Sequence, residues 1–241
     1  MSLTTVAVAL VLGFAAAVQM ASGFGFALVS VPLLALVVGP HDAVLLALVM
    51  GTVFNGWQAV EGRREVDRAV LARVLVGAAF GLPVGYLLYQ ELGKDSLTVV
   101  VGVLVLVAAA SLWRGWSLPA TGRGIDLVAG LCTGVLTTST ATNGPPIVTM
   151  LQARGLRPEA FRAMATTVFL VLDLLAVCVF TATGELDGTD LAVAAVALPV
   201  VVVGGYLGYR ARRLLSPAAF RRVVLLLLAA TGAAAVLAGL T

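Results

Sequence analysis

The sequence predicts an all-α polytopic membrane protein made of two inverted repeats, each a broken, re-entrant helical hairpin followed by three transmembrane helices. Three observations carry that prediction. The 241 residues are 61% hydrophobic and only 11% charged, with a mean hydropathy of +1.08, where a soluble domain carries about a quarter charged residues. Long apolar runs recur from end to end, and two of them are split by short breaks of polar residues and glycine. The chain also repeats its own motifs at a spacing of 118 to 120 residues.

The elements follow in order. From Leu3 to Gly39 the chain is apolar but too long for one crossing, and SGFGF at Ser22 to Phe26 splits it. The opening MSLTTVAVALVLGFAAAV lacks the basic start of a signal peptide and reads as a retained first arm. The second arm, Ala27 to Gly39, rises only about 20 Å as a helix, short of a hydrocarbon core of ~30 Å. Three runs able to span follow, Asp42 to Val60, Ala69 to Tyr89 and Leu97 to Trp113. A second interrupted region, Ile125 to Ala153, is split by TTSTATNGPP at Thr137 to Pro146, and its second arm is again too short to cross. Three more spans complete the chain: Ala163 to Thr183, Leu191 to Tyr209 and Val223 to Leu240. No polar stretch leaves room for a soluble domain, so residues 1–241 read as one transporter domain, with repeat 1 at 3–113 and repeat 2 at 125–240. Trp57, Trp113, Trp116, Tyr86, Tyr89, Tyr206 and Tyr209 lie near span ends and read as interfacial belts. Cys132 and Cys178 fall inside apolar runs and read as small buried hydrophobes.

A shift of 120 aligns EVDRAVLA at Glu65 with ELDGTDLA at Glu185, and GYLLY at Gly85 with GYLGY at Gly205. Earlier in each half the shift is 118, pairing Pro40 with Pro158 and Asn55 with Asp173. The basic residues then set the orientation. If each broken region crossed once, the fifteen Lys and Arg residues would divide six against nine. If each is a hairpin returning to its own side, fourteen fall on one face and Lys94 stands alone on the other. The positive-inside rule selects the hairpin. Three spans and a hairpin make an odd number of crossings, so the halves are inverted. The loops at Arg63, Arg123, Arg157 and Arg212 then face the cytoplasm, and both termini lie outside the inner membrane.

Discontinuous helices in inverted repeats commonly hold a transporter's site near the midplane. The candidate substrate-binding residues are Ser22, Gly23, Phe24, Gly25 and Phe26 at one tip. At the other they are Thr138, Ser139, Thr140, Thr142, Asn143 and Gly144, with Asn55 from the first span. Glycine lets backbone approach a ligand, and Pro145 and Pro146 suit a first helical turn. A helix start presents free N–H groups and the positive dipole end to an anion. Small and hydroxylated residues also glue membrane helices together, but two breaks at repeat-equivalent positions favour binding. Asp173, an acid well inside a span, is the coupling candidate, its competing role being a hydrogen-bonded core residue. Arg162 is a candidate charge donor or a snorkelling anchor. No metal-ligand cluster, catalytic triad or phosphate loop is present, so no enzyme, metal, cofactor or nucleic-acid partner is expected. The expected partners are a small anion, protons and the bilayer. The oligomeric state is left open, a homodimer included.

These residues resemble a family. GFGFALVSVPLL at Gly23, PHDAVLLALVMG at Pro40 and GRREVDRAV at Gly62, with G-x-x-x-G at Gly81, look like the first half of the sulfite exporter TauE/SafE family. NGPPIVTMLQARG at Asn143, then FRAMATTVFLVLD and GELDGTDL, look like its second half. The resemblance implies export of small sulfur-containing anions such as sulfite, thiosulfate or sulfonates like sulfoacetate. A secondary transporter is the leading expectation, and an uncoupled anion channel or uniporter for small oxyanions or carboxylates is the alternative.

Overall fold

The computed structural model describes residues 2–22, 25–115, 121–211 and 217–240. Gly23, Phe24, Trp116, Arg212 and Arg213 lie outside the described residues. Ten α-helices are present among those described: α1 Leu3–Ser22, α2 Phe26–Val38, α3 Pro40–Gly62, α4 Arg68–Glu91, α5 Lys94–Arg114, α6 Arg123–Thr140, α7 Gly144–Gln152, α8 Pro158–Thr183, α9 Gly188–Ala211 and α10 Pro217–Leu240. A single 3₁₀ turn, Arg63–Glu65, follows α3.

Seven of these helices are long and apolar enough to cross a membrane: α1, α3, α4, α5, α8, α9 and α10. Six are the expected spans, and α1 is the first arm of the first broken region. The remaining arms are short, with 13 residues in α2, 18 in α6 and 9 in α7. Helix starts follow local chemistry. Asp67 accepts from the N–H groups of Ala69 and Val70 at 2.9 and 3.1 Å and caps α4. Its repeat mate Asp187 accepts from Thr189 and Asp190 at 2.7 and 3.1 Å at the head of α9. The donating amides of Asp190 and Thr189 hold the Asp187 carboxyl below the usual carboxylate range.

The helices pack in pairs that map onto each other when the halves are exchanged: α4 on α6 and α1 on α9, α1 on α2 and α6 on α7, α2 on α3 and α7 on α8. The pairs α5–α10 and α3–α8 map onto themselves. Glycine makes the closest of these contacts. A Cβ on Gly81 of α4 would lie 2.2 Å from the Leu131 carbonyl oxygen, and one on Gly85 would lie 2.1 Å from that of Val135. At the matching α1–α9 contact, a Cβ on Gly204 would lie 2.0 Å from the Gly13 oxygen. Such approach lets helix backbones meet where no hydrophobic effect drives them together. The registers also give directions. Gly81 meets Leu131 and Gly85 meets Val135, so α4 and α6 run parallel, as do α1 and α9, where Gly13 meets Gly204 and Ala17 meets Gly208. By contrast Gly102 meets Gly232 and Gly239 meets Asp95, so α5 and α10 run antiparallel. In α3 and α8, Asn55 bonds Asp173 while Gly56 faces Leu170, again an antiparallel register.

An ion network shows where the second broken region ends. Asp126, in the first turn of α6, is fully buried and accepts from Arg73 Nε at 2.7 Å and from Arg154 Nη2, just past α7. The chain therefore leaves along α6 and returns along α7 to the same face, as a hairpin. Arg157 pairs with Glu65 at 2.9 Å on that face. At the other end of the molecule, His41 at the head of α3 meets Tyr89 near the end of α4, and Tyr89 meets Phe180 near the end of α8.

Two sequence expectations change. Tyr89 is not an interfacial residue: it is 2% exposed, enclosed by the rings of His41 and Phe180 at 4.8 Å each. Cys132 and Cys178 are exposed rather than buried. Both lie on helix faces turned away from the helical neighbours, where an apolar thiol meets lipid as well as it would meet a core.

Candidate functional site

The tips of the two broken regions meet. A small cavity is lined by Gly25, Phe26, Ala27 and Leu28 of the first tip and by Ala141, Asn143 and Gly144 of the second. Helices α3 and α8 complete it with Ala47, Leu48, Gly51, Asn55, Phe169 and Asp173, and α1 adds Gln19.

Each wall has a local cause. Gly25 adopts φ 101° and turns the chain into α2, a conformation open to glycine. Val29 N–H donates to the Gly25 carbonyl at 3.2 Å. The N–H groups of Phe26, Ala27 and Leu28 precede that first helical bond and have no acceptor within α2. All three residues line the cavity, so the first turn of α2 presents donors and a positive dipole end to it. The start of α7 offers fewer, because Pro145 and Pro146 follow Gly144 and carry no N–H. Between α6 and α7, Ala141 holds φ 54°, the single positive φ of a non-glycine among the described residues. That conformation costs about 1–2 kcal/mol; it caps α6, with the Ala141 N–H donating to the Thr137 carbonyl at 3.1 Å, and turns the chain toward α7 along the cavity wall.

Across the cavity runs a chain of hydrogen bonds joining both halves. Gln19 Nε2 donates to Asn55 Oδ1 at 2.8 Å, and Asn55 Nδ2 donates to Asp173 Oδ2 at 3.0 Å. Asn143 Nδ2 donates to Asp173 Oδ1 at 3.0 Å and to Thr137 Oγ1 at 3.3 Å. Asn143 occupies the N-cap position of α7 yet makes no capping bond; its side chain serves Asp173 instead. Asp173, 5% exposed, thus has both carboxylate oxygens held by neutral amides, with no salt bridge to it among the described residues. Gly51 gives the carboxylate room, since a Cβ there would lie 2.8 Å from Asp173 Oδ2.

The expected site residues divide clearly. Gly25, Phe26, Asn143, Gly144, Asn55 and Asp173 come together at the cavity. Thr138, Ser139 and Thr140 do not line it. Thr138 Oγ1 donates to the Leu82 carbonyl of α4 at 2.7 Å, which is interhelical glue. Ser139 donates to the Val135 carbonyl at 2.7 Å, and Thr140 shares its hydroxyl with Thr142 at 2.7 Å and the Leu136 carbonyl. Gly23, Phe24 and the Ser22 side chain lie outside the described residues. Arg162 lies in the second turn of α8, three turns before Asp173 and about 16 Å away along the helix. Sequence reading missed Gln19, Gly51 and Phe169. The repeat register held a signal for the first, because a shift of 118 pairs Gln19 with Thr137, the two ends of the hydrogen-bonded chain.

Residues 8–235 match the family model described as "Sulfite exporter TauE/SafE". The chain is 28% identical over 229 residues to the "Probable sulfite/organosulfonate exporter TauE" of Cupriavidus necator, covering 91% of this chain and 88% of that protein. It is 30% identical over 178 residues to the "Probable inner membrane transporter protein TsaS" of Comamonas testosteroni, covering 70% of this chain and 72% of that one. No solved structure gives a significant match.

Proposed function

The chain belongs to the sulfite exporter TauE/SafE family, and from that membership and the cavity between its halves we propose that it exports sulfite or an organosulfonate such as sulfoacetate. Export is secondary active, with protons coupled through Asp173. One observation carries the reading: the first turn of α2, with three N–H groups free of helical acceptors, faces the start of α7 across a cavity that holds a buried carboxylate. The amides of Asn55 and Asn143 supply further donors once they release Asp173.

The carboxylate supplies the coupling. Two like charges about 5 Å apart repel by roughly 3 kcal/mol at an effective dielectric of 20. Asp173 therefore takes up a proton as the anion enters, and the proton leaves with it. A dianion carried out with one proton still moves net negative charge outward. A cell interior at negative potential favours that movement by about 2.3 kcal/mol per charge per 100 mV. The halves are inverted, a reading supported by the antiparallel registers of the equivalent helices α3 and α8, and α5 and α10. The face bearing Arg73, Arg154 and Arg157 is cytoplasmic and both termini lie outside the inner membrane, as the distribution of basic residues requires.

Purified protein in proteoliposomes tests this against sulfite, sulfoacetate, thiosulfate, sulfate and oxalate. Saturable flux of sulfite or sulfoacetate that an imposed pH gradient drives is the expected result. Flux that is non-saturable and indifferent to pH would identify an uncoupled channel. Absence of flux for every sulfur anion would overturn the assignment.

A further inference from the structure

Among the described residues, two buried side-chain polar atoms have no hydrogen-bond partner: Ser30 Oγ and Gln58 Nε2. Each orphan is unusual. Thr52, Thr98, Ser111, Thr133, Thr149, Thr166 and Thr231 all return their hydroxyls to the carbonyl four residues back. Ser30, fully buried in the middle of α2, does not. A buried donor left unmade is costly, whereas an apolar group of similar shape costs nothing. A chain this rich in Ala and Val could have placed one at either position.

Their places in the fold are related. Ser30 lies four residues beyond the cavity residue Phe26 and so on the same face of α2. It stands about 6 Å farther along the helix, toward the end of the molecule where His41 meets Tyr89. Gln58 follows Gly51 and Asn55 at intervals of four and three, on the same face of α3 as those two cavity residues. It stands about 4.5 Å beyond Asn55, toward the opposite end, where Asp126 binds Arg73 and Arg154. By the antiparallel register that sets Gly56 beside Leu170, Gln58 falls level with Phe169, a residue of the cavity wall. The two orphans therefore lie on opposite sides of the cavity, one toward each end of the molecule.

We infer that Ser30 and Gln58 are waypoints of the transported anion, two weak subsites on either side of the central cavity that donate a hydrogen bond as the anion passes. The inference rests on the transport reading above and deepens it into a path. Each donor is buried without a protein partner and so is free to bond the anion as it passes. Gln58 receives the anion from the arginine-bearing face and hands it past Phe169 to the cavity. Ser30 takes it on from the first turn of α2 toward the far face. Placing single neutral donors at both waypoints keeps binding there weak enough for release.

Ser30→Ala and Gln58→Leu, assayed with radiolabelled sulfite and sulfoacetate in right-side-out and inside-out vesicles, test this. The inference expects melting temperatures equal to or above wild type, since an orphan has been removed. It also expects KM to rise about tenfold on one face only: the arginine-bearing face for Gln58→Leu and the opposite face for Ser30→Ala. Ser30→Cys and Gln58→Cys, in a background lacking Cys132 and Cys178, should react with a small water-soluble thiol reagent and be protected by substrate. Wild-type kinetics from both faces, or thiols that substrate does not protect, would make the two orphans packing defects and overturn the inference while leaving the transport reading intact. Wild-type vesicles that carry neither anion would overturn both.

Discussion

Asp173 joins the two halves through neutral partners, and that neutrality fixes what its replacement should do. With Asn55 and Asn143 each donating at 3.0 Å, an amide at the position fills the same space and keeps one of the two bonds. If Asp173 couples as proposed, its protonated form admits the anion, so affinity for a sulfonate, which stays ionised throughout, should rise as pH falls and weaken as pH rises. Asp173→Asn should bind the sulfonate with little pH dependence and lose the ability to be driven by a proton gradient. A pH profile unchanged in the variant would move the coupling elsewhere. Asn143→Ala removes a donor from the cavity and should weaken anion binding by about 1.5–3 kcal/mol, roughly ten- to a hundredfold. Ser139→Ala should bind like wild type in the same titration, because its hydroxyl is committed to Val135. The contrast marks what composition can reveal. A polar break with Gly144 and two prolines, in register with Gly25 and mirrored by Asn55 and Asp173, was legible as a place where the two halves meet. Which hydroxyls in TTSTATN face the cavity was not, since a helical Ser or Thr satisfied by its own backbone looks the same in sequence as one that reaches a ligand. Gly51 was illegible for a different reason: its role is to be absent beside a carboxylate on another helix.

At the scale of elements, the spans and the short second arms were readable because length decides them: 13 and 9 residues cannot cross where 20 can. The helix ends were readable too, from Asp67 and from prolines at the heads of α3, α7 and α8. The partner of each helix was not readable, because lipid tails and apolar side chains are equally good neighbours and hydrophobicity does not choose between them. Small residues choose. Gly77, Gly81 and Gly85 of α4 meet the backbone of Leu127, Leu131 and Val135 of α6, and Gly130 and Gly134 of α6 meet that of Val74 and Ala78 of α4. Gly81→Ala puts a methyl group 2.2 Å from the Leu131 oxygen, so α4 and α6 must separate along their length. The expected loss is about 1–3 kcal/mol, read as a lower melting temperature in detergent and poorer recovery of folded protein. Gly93→Ala, with nothing within 4 Å of the added methyl, is the matched control. A Gly81→Ala protein as stable as that control would mean that the α4–α6 contact contributes little to holding the second hairpin.

For the whole molecule, the two broken regions are alike in plan and unlike in chemistry at their bases. The second is tied by Asp126 to Arg73 and Arg154. A shift of 118 or 120 puts Val8, Leu36 and Val193 at the matching positions of the first. A buried ion pair is costly to form and costlier to break from one side, so the second base is held where the first rests on apolar contact. This also fixes a test of orientation. Because Arg154 returns to Asp126, the segments around residues 123 and 157 must lie on one face, and the link from Arg157 to Glu65 places the turn after α3 with them. Single cysteines at Arg123, Arg157 and Arg63, without Cys132 and Cys178, should therefore all react with an impermeant thiol reagent from the cytoplasmic side. A cysteine at Lys94 should react only from outside, since α4 carries the chain from the arginine-bearing face to the end where Tyr89 meets His41. Reaction of 123 and 157 from opposite faces would require the second region to cross the membrane. The odd number of crossings on which the proposed inversion of the halves rests would then be lost, and with it the approach of α2 and α7 to one cavity from opposite sides of the membrane.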